Sequence, residues 1–379
     1  MKAMILAAGE GTRVRPLTYD LPKPMIPVVG KPVMEYLIEL LFNHRIKDIM
    51  VNVSHLPEAI ESYFADGRRW GVNIGYSYEG HIQNGELHAE PLGSAGGIKR
   101  IQEFGGVFDD TFIVVCGDAI IDLDLTEMLR KHWQSGNKAS IVVKQVEEHR
   151  IPNYGVVDVA DSGQVLSFQE KPLLEEARSD LVSTGIYIFE PEIIDYIPSG
   201  KVYDIGSDLL PDLLRRKVPF GAINMPFRWL DIGRLSDYWA INQQLMRGSI
   251  RGVNMPGTEV LPKIWVGLNV DIDWDQVLLE GPVYIGSNSR VEAGCVIQGP
   301  TWISHGCHLQ AGARISRSLL FKHTLMRGHA MVNDAVVFGE RCVDKNGNLF
   351  DSESGLEWVG DARDRVLRMD VLAHPADAE

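Results

Sequence analysis

The chain has 379 residues, enough for two domains or one large domain with an appendage. Hydrophobic residues make up 45% and charged residues 23%, as in globular proteins, and a net charge of −14 with no basic tract excludes nucleic acid as a general partner while leaving room for a nucleotide, which needs only a few local cations. Cys116, Cys295, Cys307 and Cys342 are scattered without Cys-x-x-Cys spacing, the apolar run from Ala3 to Ala8 is too short for a signal-peptide core, and no stretch approaches about 20 apolar residues, so no structural zinc, no membrane span and a cytoplasmic enzyme are expected.

The first thirty-two residues organise the rest. The apolar strand Met4-Ile5-Leu6 runs into Ala7-Ala8-Gly9-Glu10-Gly11-Thr12-Arg13, and Pro22-Lys23-Pro24 follows. Glycine lets backbone N–H groups approach a phosphate closely, and Arg13 and Lys23 add two cations suited to a polyphosphate. Two familiar phosphate motifs are absent: Val14 stands where the dinucleotide fingerprint needs its third Gly, and Pro32 follows Gly30-Lys31 where a P-loop needs Ser or Thr.

Pro32 to Asn43 is predicted as a helix with Val33, Tyr36, Leu37, Leu40 and Leu41 on one face, followed by a strand over 48–54, a helix over 57–65, a strand over 72–78 and a helix over 94–104. Thr111 to Cys116 is a continuous apolar run, as in a strand buried on both faces. A helix over 125–133 and a strand over 139–144 continue the alternation, which gives an α/β fold with a mostly parallel, doubly wound sheet and ligands beyond the carboxyl ends of its strands. The pattern runs to about residue 245, and 246–262 is read as a linker.

A six-residue period then takes over. Ile285, Val291, Ile297, Ile303, Leu309, Ile315 and Phe321 are apolar, and Val283, Ser289, Cys295, Thr301, Cys307 and Ala313, two places earlier, are mostly small. Leu319, Leu325, Met331 and Val337 form a second phase. This spacing predicts a parallel β-helix of about four coils over 263–340. The tail, 341–379, is expected to hold a short helix over 361–373 and a frayed end.

Asp118 follows the buried strand, where a carboxylate points into the ligand crevice; beside a polyphosphate its natural role is Mg²⁺. Its alternative role, capping the next helix, suits Asp124 better. Asp231 in Trp229-Leu230-Asp231-Ile232-Gly233, and Glu170-Lys171-Pro172 after a strand over 165–168, are weaker signals alone.

Together these segments resemble the sugar-1-phosphate nucleotidylyltransferases, on Leu6 to Arg13, Pro22-Lys23-Pro24, Gly117-Asp118, Glu170-Lys171-Pro172 and Trp229 to Gly233. The resemblance covers the whole chain, and it implies a Rossmann-like nucleotidyltransferase sheet followed by a left-handed β-helix of hexapeptide repeats. It implies that Asp118 and Asp231 hold Mg²⁺, that Arg13 and Lys23 neutralise the polyphosphate, and that Leu6, Ala7, Ala8, Gly9, Gly11 and Thr12 line the nucleotide. Glu90, Gly93, Ser94 and Ala95, in Glu90-Pro91-Leu92-Gly93-Ser94-Ala95-Gly96-Gly97, resemble the loop that holds the base, with Ser94 for the more usual Thr. Lys171 would take the sugar phosphate and Glu170 the ring hydroxyls, with Tyr154, Gly155, Thr184 and Gly185 lining the sugar pocket. Ser183 departs from the usual Asn before Thr-Gly.

Segments 50–55, 92–97 and 196–200 lie nearest the UDP-glucose pyrophosphorylases of the cyanobacterial type, ahead of the GDP-mannose pyrophosphorylases. The expected reaction joins UTP, or GTP, to a hexose 1-phosphate and releases pyrophosphate, in a homo-oligomer. Glu90 alone pulls toward GTP, because a carboxylate only accepts hydrogen bonds and guanine offers two adjacent donors. Two rival readings are a non-catalytic regulatory subunit, opposed by the presence of Arg13, Lys23, Asp118, Lys171 and Asp231, and acyl transfer on the β-helix using His305, His308, His323 or His329.

Overall fold

The computed structural model describes residues 1–83, 86–250, 253–350 and 356–363. The chain divides into two compact units, one of residues 1–26 with 32–231 and one of residues 27–31 with 232–379.

In the first unit, strands β1 (Lys2–Leu6), β2 (Asp48–Val53), β3 (Asn73–Tyr78) and β6 (Phe112–Cys116) are parallel and ordered β6-β1-β2-β3. The hairpin β4 (Gly80–Gln83) and β5 (Glu86–Ala89) intervenes between β3 and helix α3 (Ser94–Gly105). Helices α1 (Val33–Asn43) and α2 (Pro57–Phe64) make the first two crossovers. Further along come β7 (Ala119–Ile121), α4 (Leu125–Ser135), β8 (Ala139–Gln145), β9 (Gly155–Val159), β10 (Val165–Glu170), β11 (Leu181–Phe189), α5 (Leu210–Arg215), β12 (Phe220–Asn224) and β13 (Trp229–Asp231). β11 runs antiparallel between β6 and β8, with β9 and β10 beyond it, so the sheet is parallel in its first half and mixed in its second.

Both faces of the sheet are buried. Ala3 and Ile5 of β1 and Ile113 and Val115 of β6 pack with Leu37 and Leu41 of α1, Phe64 of α2 and Met128 of α4. Met4 and Val114 turn the other way, onto Ile98 and Ile101 of α3 and Leu213 of α5. That is the period of two expected of a strand covered on both sides. Asp124 caps α4, its Oδ1 accepting from Glu127 N at 3.0 Å, which leaves Asp118 free of that duty.

The second unit is built of three parallel ladders. In one, Ile264–Val266, Val283–Ile285, Thr301–Ile303, Leu319–Leu320 and Ala335–Phe338 stack in order, and the other two repeat the arrangement. Helix α6 (Leu235–Met246) belongs to this unit: Trp239 Nε1 donates to Arg317 O at 2.8 Å and Gln243 Nε2 to Pro300 O at 2.9 Å. The division therefore falls ahead of the expected boundary at 245, because α6 bonds to the repeat. Part of the expected linker is a strand, Thr258–Leu261, antiparallel to Ile264–Val266.

The six-residue stack of Ile285 to Ile315 is buried throughout, as are the small positions from Val283 to Ala313. The second phase is shifted by one residue from the expected one as far as Val332, while Val337 takes its expected interior place, paired with Leu320. Ile303 pairs with Leu320, Leu309 with Met326 and Ile315 with Val332, so coils of 18 residues shorten to 17 after Ile315. Val332 is 4% exposed and Met331 63%, reversing the expected roles, and Phe321 leaves the interior stack to meet Tyr238 and Phe338. The expected helix over 361–373 begins instead as a strand, Val359–Asp361, on Thr324–Met326; its remainder, from 364, lies outside the described residues, as does the expected frayed end.

Candidate active site

The carboxyl ends of β1 and β6 meet at the opening loop. Gly117 N donates to Leu6 O at 2.9 Å, and a Cβ on Gly117 would lie 2.9 Å from that oxygen, so glycine is required for this approach. Asp118 is thereby held against the Leu6–Ala8 turn. Antiparallel pairing of β13 with β7 sets Asp231 opposite Ala119, the neighbour of Asp118. Two carboxylates distant in sequence are thus brought to one corner by backbone register.

Lys23, 8% exposed, donates from Nζ to Asp118 Oδ2 at 2.5 Å. Burial of the ammonium pulls its pKa down, but Asp118 and Asp231 outweigh that and leave it raised, with Arg13 opposing them. All four groups therefore sense one another. The Cys116 thiol, just before, is pushed up by burial and then by the same two carboxylates, so it stays protonated. A pair of carboxylates is a hard-oxygen donor set that suits a divalent cation such as Mg²⁺ when phosphate oxygens complete the shell. Among the described residues no group of three or more His, Cys, Asp or Glu could hold a metal by itself.

The loop around Gly9 faces open space: a Cβ there would meet no protein atom within 4 Å. Gly11 adopts φ +63°, and Thr18 Oγ1 donates to its carbonyl at 2.9 Å, fixing the turn that carries Thr12 and Arg13. Ala7 N donates to Asn52 Oδ1 at 2.8 Å, and Asn52 Nδ2 donates to Glu79 Oε1 at 2.6 Å. Glu79 Oε2 accepts from Leu92 N at 2.9 Å. Burial raises the pKa of Glu79, and the bonds from Leu92 and Asn52 oppose that. This chain ties the phosphate loop to the loop that precedes α3. Asn52 and Glu79 were not singled out from the sequence; the signal available was a polar residue at the carboxyl end of each of two adjacent parallel strands.

In the loop before α3, Glu90 is 69% exposed and lies 3.4 Å from His81 Nδ1 of the hairpin. The amide of Ala95, expected to face a ligand, instead donates to Tyr203 O at 3.0 Å, and Ser94 Oγ donates to Asp204 Oδ2 at 2.6 Å. On the sugar side, Lys171 has φ +45° and its Nζ pairs with Glu170 Oε1 at 2.6 Å, both partly exposed. Tyr154 packs on Trp229, two residues before Asp231, and accepts from Arg150 Nη2 at 2.7 Å. A Cβ on Gly155 would lie 3.3 Å from Glu170 Oε2. Thr184 turns inward, its Oγ1 donating to Val142 O at 2.9 Å, and Ser183 Oγ accepts from Gly185 N, so these hydroxyls serve the fold. Gly185, at φ +71°, is held against Cys116.

The nucleotidyl transferase family profile matches residues 2–248. The chain belongs to that family. A GMPPB C-terminal domain profile matches residues 279–351, within the β-helix. The chain is 52% identical over 370 residues, 97% of its length and 95% of the relative's, to a UTP–glucose-1-phosphate uridylyltransferase of Synechocystis sp.. It is 31% identical over 315 residues, 78% of its length and 82% of the relative's, to a mannose-1-phosphate guanylyltransferase of Mycobacterium tuberculosis. A solved Bacillus anthracis chain, assigned as a glucose-1-phosphate thymidylyltransferase in complex with a sucrose, superposes with TM-score 0.56 at 24% identity over 67% of this chain and 96% of that one, a likeness of fold.

Proposed function

We propose that the chain transfers a uridylyl group from UTP to glucose 1-phosphate, giving UDP-glucose and pyrophosphate. The observation that carries this is the Lys23–Asp118 contact with Asp231 alongside at the mouth of the Gly9–Gly11 turn, in a chain with 52% identity to a uridylyltransferase over nearly its whole length.

Arg13 and Lys23 neutralise the β- and γ-phosphates of the bound triphosphate, and backbone N–H groups of the Ala8–Thr12 turn orient it. Lys171 leaves Glu170 to hold the phosphate of the sugar, aiming one of its oxygens in line at the α-phosphorus. The new P–O bond forms as the bond from the α-phosphorus to the α,β-bridging oxygen breaks, and pyrophosphate departs with that electron pair. The attacking phosphate, with a second pKa near 6, is already mostly dianionic at neutral pH, so no general base is required. Asp118 and Asp231 would hold Mg²⁺, which when bound adds positive charge where the phosphoryl oxygens gather negative charge.

Uracil is favoured over guanine by the loop before α3. Guanine recognition through a carboxylate needs a free acceptor pair, yet Glu90 turns outward and both oxygens of Glu79 are engaged within the protein. The second reading, GTP with mannose 1-phosphate, draws on the Mycobacterium tuberculosis relative. A panel of triphosphates against glucose, mannose and glucosamine 1-phosphates, followed by pyrophosphate release, separates the two. UTP with glucose 1-phosphate is expected to give the highest kcat/KM. Preference for any other pair would refute the assignment.

A further inference from the structure

One short segment outside every motif touches both the loop before α3 and the carboxyl end of β10, next to Lys171. Tyr203 O accepts from Ala95 N at 3.0 Å and from Gly96 N at 2.8 Å, and Tyr203 N donates to Leu92 O at 2.8 Å. A Cβ on Gly93 would lie 2.6 Å from that same carbonyl, so the two backbones are in direct contact. Asp204 uses both carboxylate oxygens. Oδ1 accepts from Gly206 N at 2.8 Å and Ser207 N at 3.2 Å, starting a π-helical turn over Ile205–Leu209 that leads into α5. Oδ2 accepts from Ser94 Oγ at 2.6 Å, while Ser94 Oγ accepts from Ile205 N at 2.8 Å. The far side of this turn reaches the other loop: a Cβ on Gly206 would stand 2.8 Å from Glu170 Oε2 and 3.4 Å from Phe168. Single π-helical turns are rare and frequently lie at functional sites.

We propose that Tyr203–Leu209 is a positioning element that fixes the distance between the nucleotide-side loop and the sugar-phosphate-side loop, with Asp204 its positioning residue and Ser94 its partner. This rests on the reading of residues 90–95 as the nucleotide side and Glu170–Lys171 as the sugar-phosphate side. The Ser94–Asp204 bond ties the nucleotide-side loop to this segment, whose far side abuts Glu170 and Phe168, so loosening it degrades both substrate sites together. Lys171, which serves one substrate, gives the contrasting pattern.

Four variants test this by steady-state kinetics with each substrate varied in turn, alongside thermal unfolding. Ser94→Ala and Asp204→Ala are expected to raise KM for UTP and for glucose 1-phosphate together, each roughly fivefold or more, the loss of one hydrogen bond to a charged group. Ser94→Thr, which restores the hydroxyl, is expected to recover most of both. Gly206→Ala displaces only the far end of the Glu170 side chain and is expected to raise KM for the sugar phosphate alone. If Asp204→Ala does not fold, Ser94→Ala, which leaves the Asp204 cap in place, decides the matter. The proposal is overturned if Ser94→Ala lowers Tm while both KM values stay within twofold, or if it moves only one of them. The wild type is assayed with the full substrate panel first. Failure with UTP and glucose 1-phosphate strikes the functional reading, and the paired-KM pattern is then read with whichever pair the enzyme accepts.

Discussion

Burial of Lys23 works against its charge, and Asp118 and Asp231, brought to one corner with the help of a strand pairing, outweigh it. Under the proposed function each carboxylate acts on the transferring phosphoryl group. Asp118→Asn and Asp231→Asn are expected to lower kcat by about a hundredfold or more with the fold retained, Asp118→Asn also lowering Tm because the buried Lys23 ammonium loses its paired charge. Near-wild-type turnover at low Mg²⁺ in either variant would remove that residue from the metal site. Lys171→Ala is expected to raise KM for the sugar phosphate about tenfold or more and that for UTP little, since the Lys171 side chain pairs with its neighbour Glu170 and is half exposed. At this scale the sequence showed those groups that belong to contiguous motifs: Arg13, Lys23, Asp118, Glu170, Lys171 and Asp231. Asn52, Glu79 and Asp204 were illegible because the partners they brace lie 13 to 110 positions away, and no local pattern marks a side chain that braces two loops. The backbone use of Ala95 and the inward turn of Thr184 were missed for the same reason.

Among the elements, the first-half strands and helices were legible, since both-face burial writes itself as unbroken apolar runs and Asp124, Pro57 and Gly106 punctuate the helices. The antiparallel insertion of β11 was not, because pairing direction leaves no mark on a buried strand. The β-helix phase shift was half legible: the period breaks visibly near residue 316, but both Met331 and Val332 are apolar, and only the register shows which points inward. Met331→Asp is therefore expected to shift stability by no more than about 0.5 kcal/mol, as at other exposed sites, while Val332→Asp costs several kcal/mol by burying an unpaired charge or its neutralised acid. Chemical denaturation of the two variants compares them directly. Equal effects would mean that the coil keeps 18 residues past Ile315.

For the molecule as a whole, a buried chain braces the sheet at the end opposite the active site. His132 of α4 lies between Ser140 Oγ, 2.7 Å from Nδ1, and Glu190 Oε1, 3.1 Å from Nε2. The resemblance to a hydrolase triad is formal, since Ser140 is fully enclosed. Burial lowers the His132 pKa, against the pull of Glu190. Below the unfolded value of about 6.5 the unfolded chain then binds the proton and the folded chain does not. The contribution of His132 to stability is accordingly complete above that pH, and it falls as the pH drops from 6.5 toward the lowered folded value. Wild-type Tm is expected to decline between pH 7 and pH 5 more than that of His132→Gln; parallel declines would show that other groups set the acid sensitivity.

The reverse reaction tests the central assignment most directly. Wild-type protein with pyrophosphate and Mg²⁺ is given UDP-glucose or GDP-mannose in parallel, and formation of the nucleoside triphosphate is followed by phosphorus NMR. The expected result is UTP and glucose 1-phosphate from UDP-glucose at a rate well above that of GDP-mannose, slowed about a hundredfold or more in Asp118→Asn. Faster GTP formation from GDP-mannose, or UTP formation at a near-wild-type rate in Asp118→Asn, would contradict it.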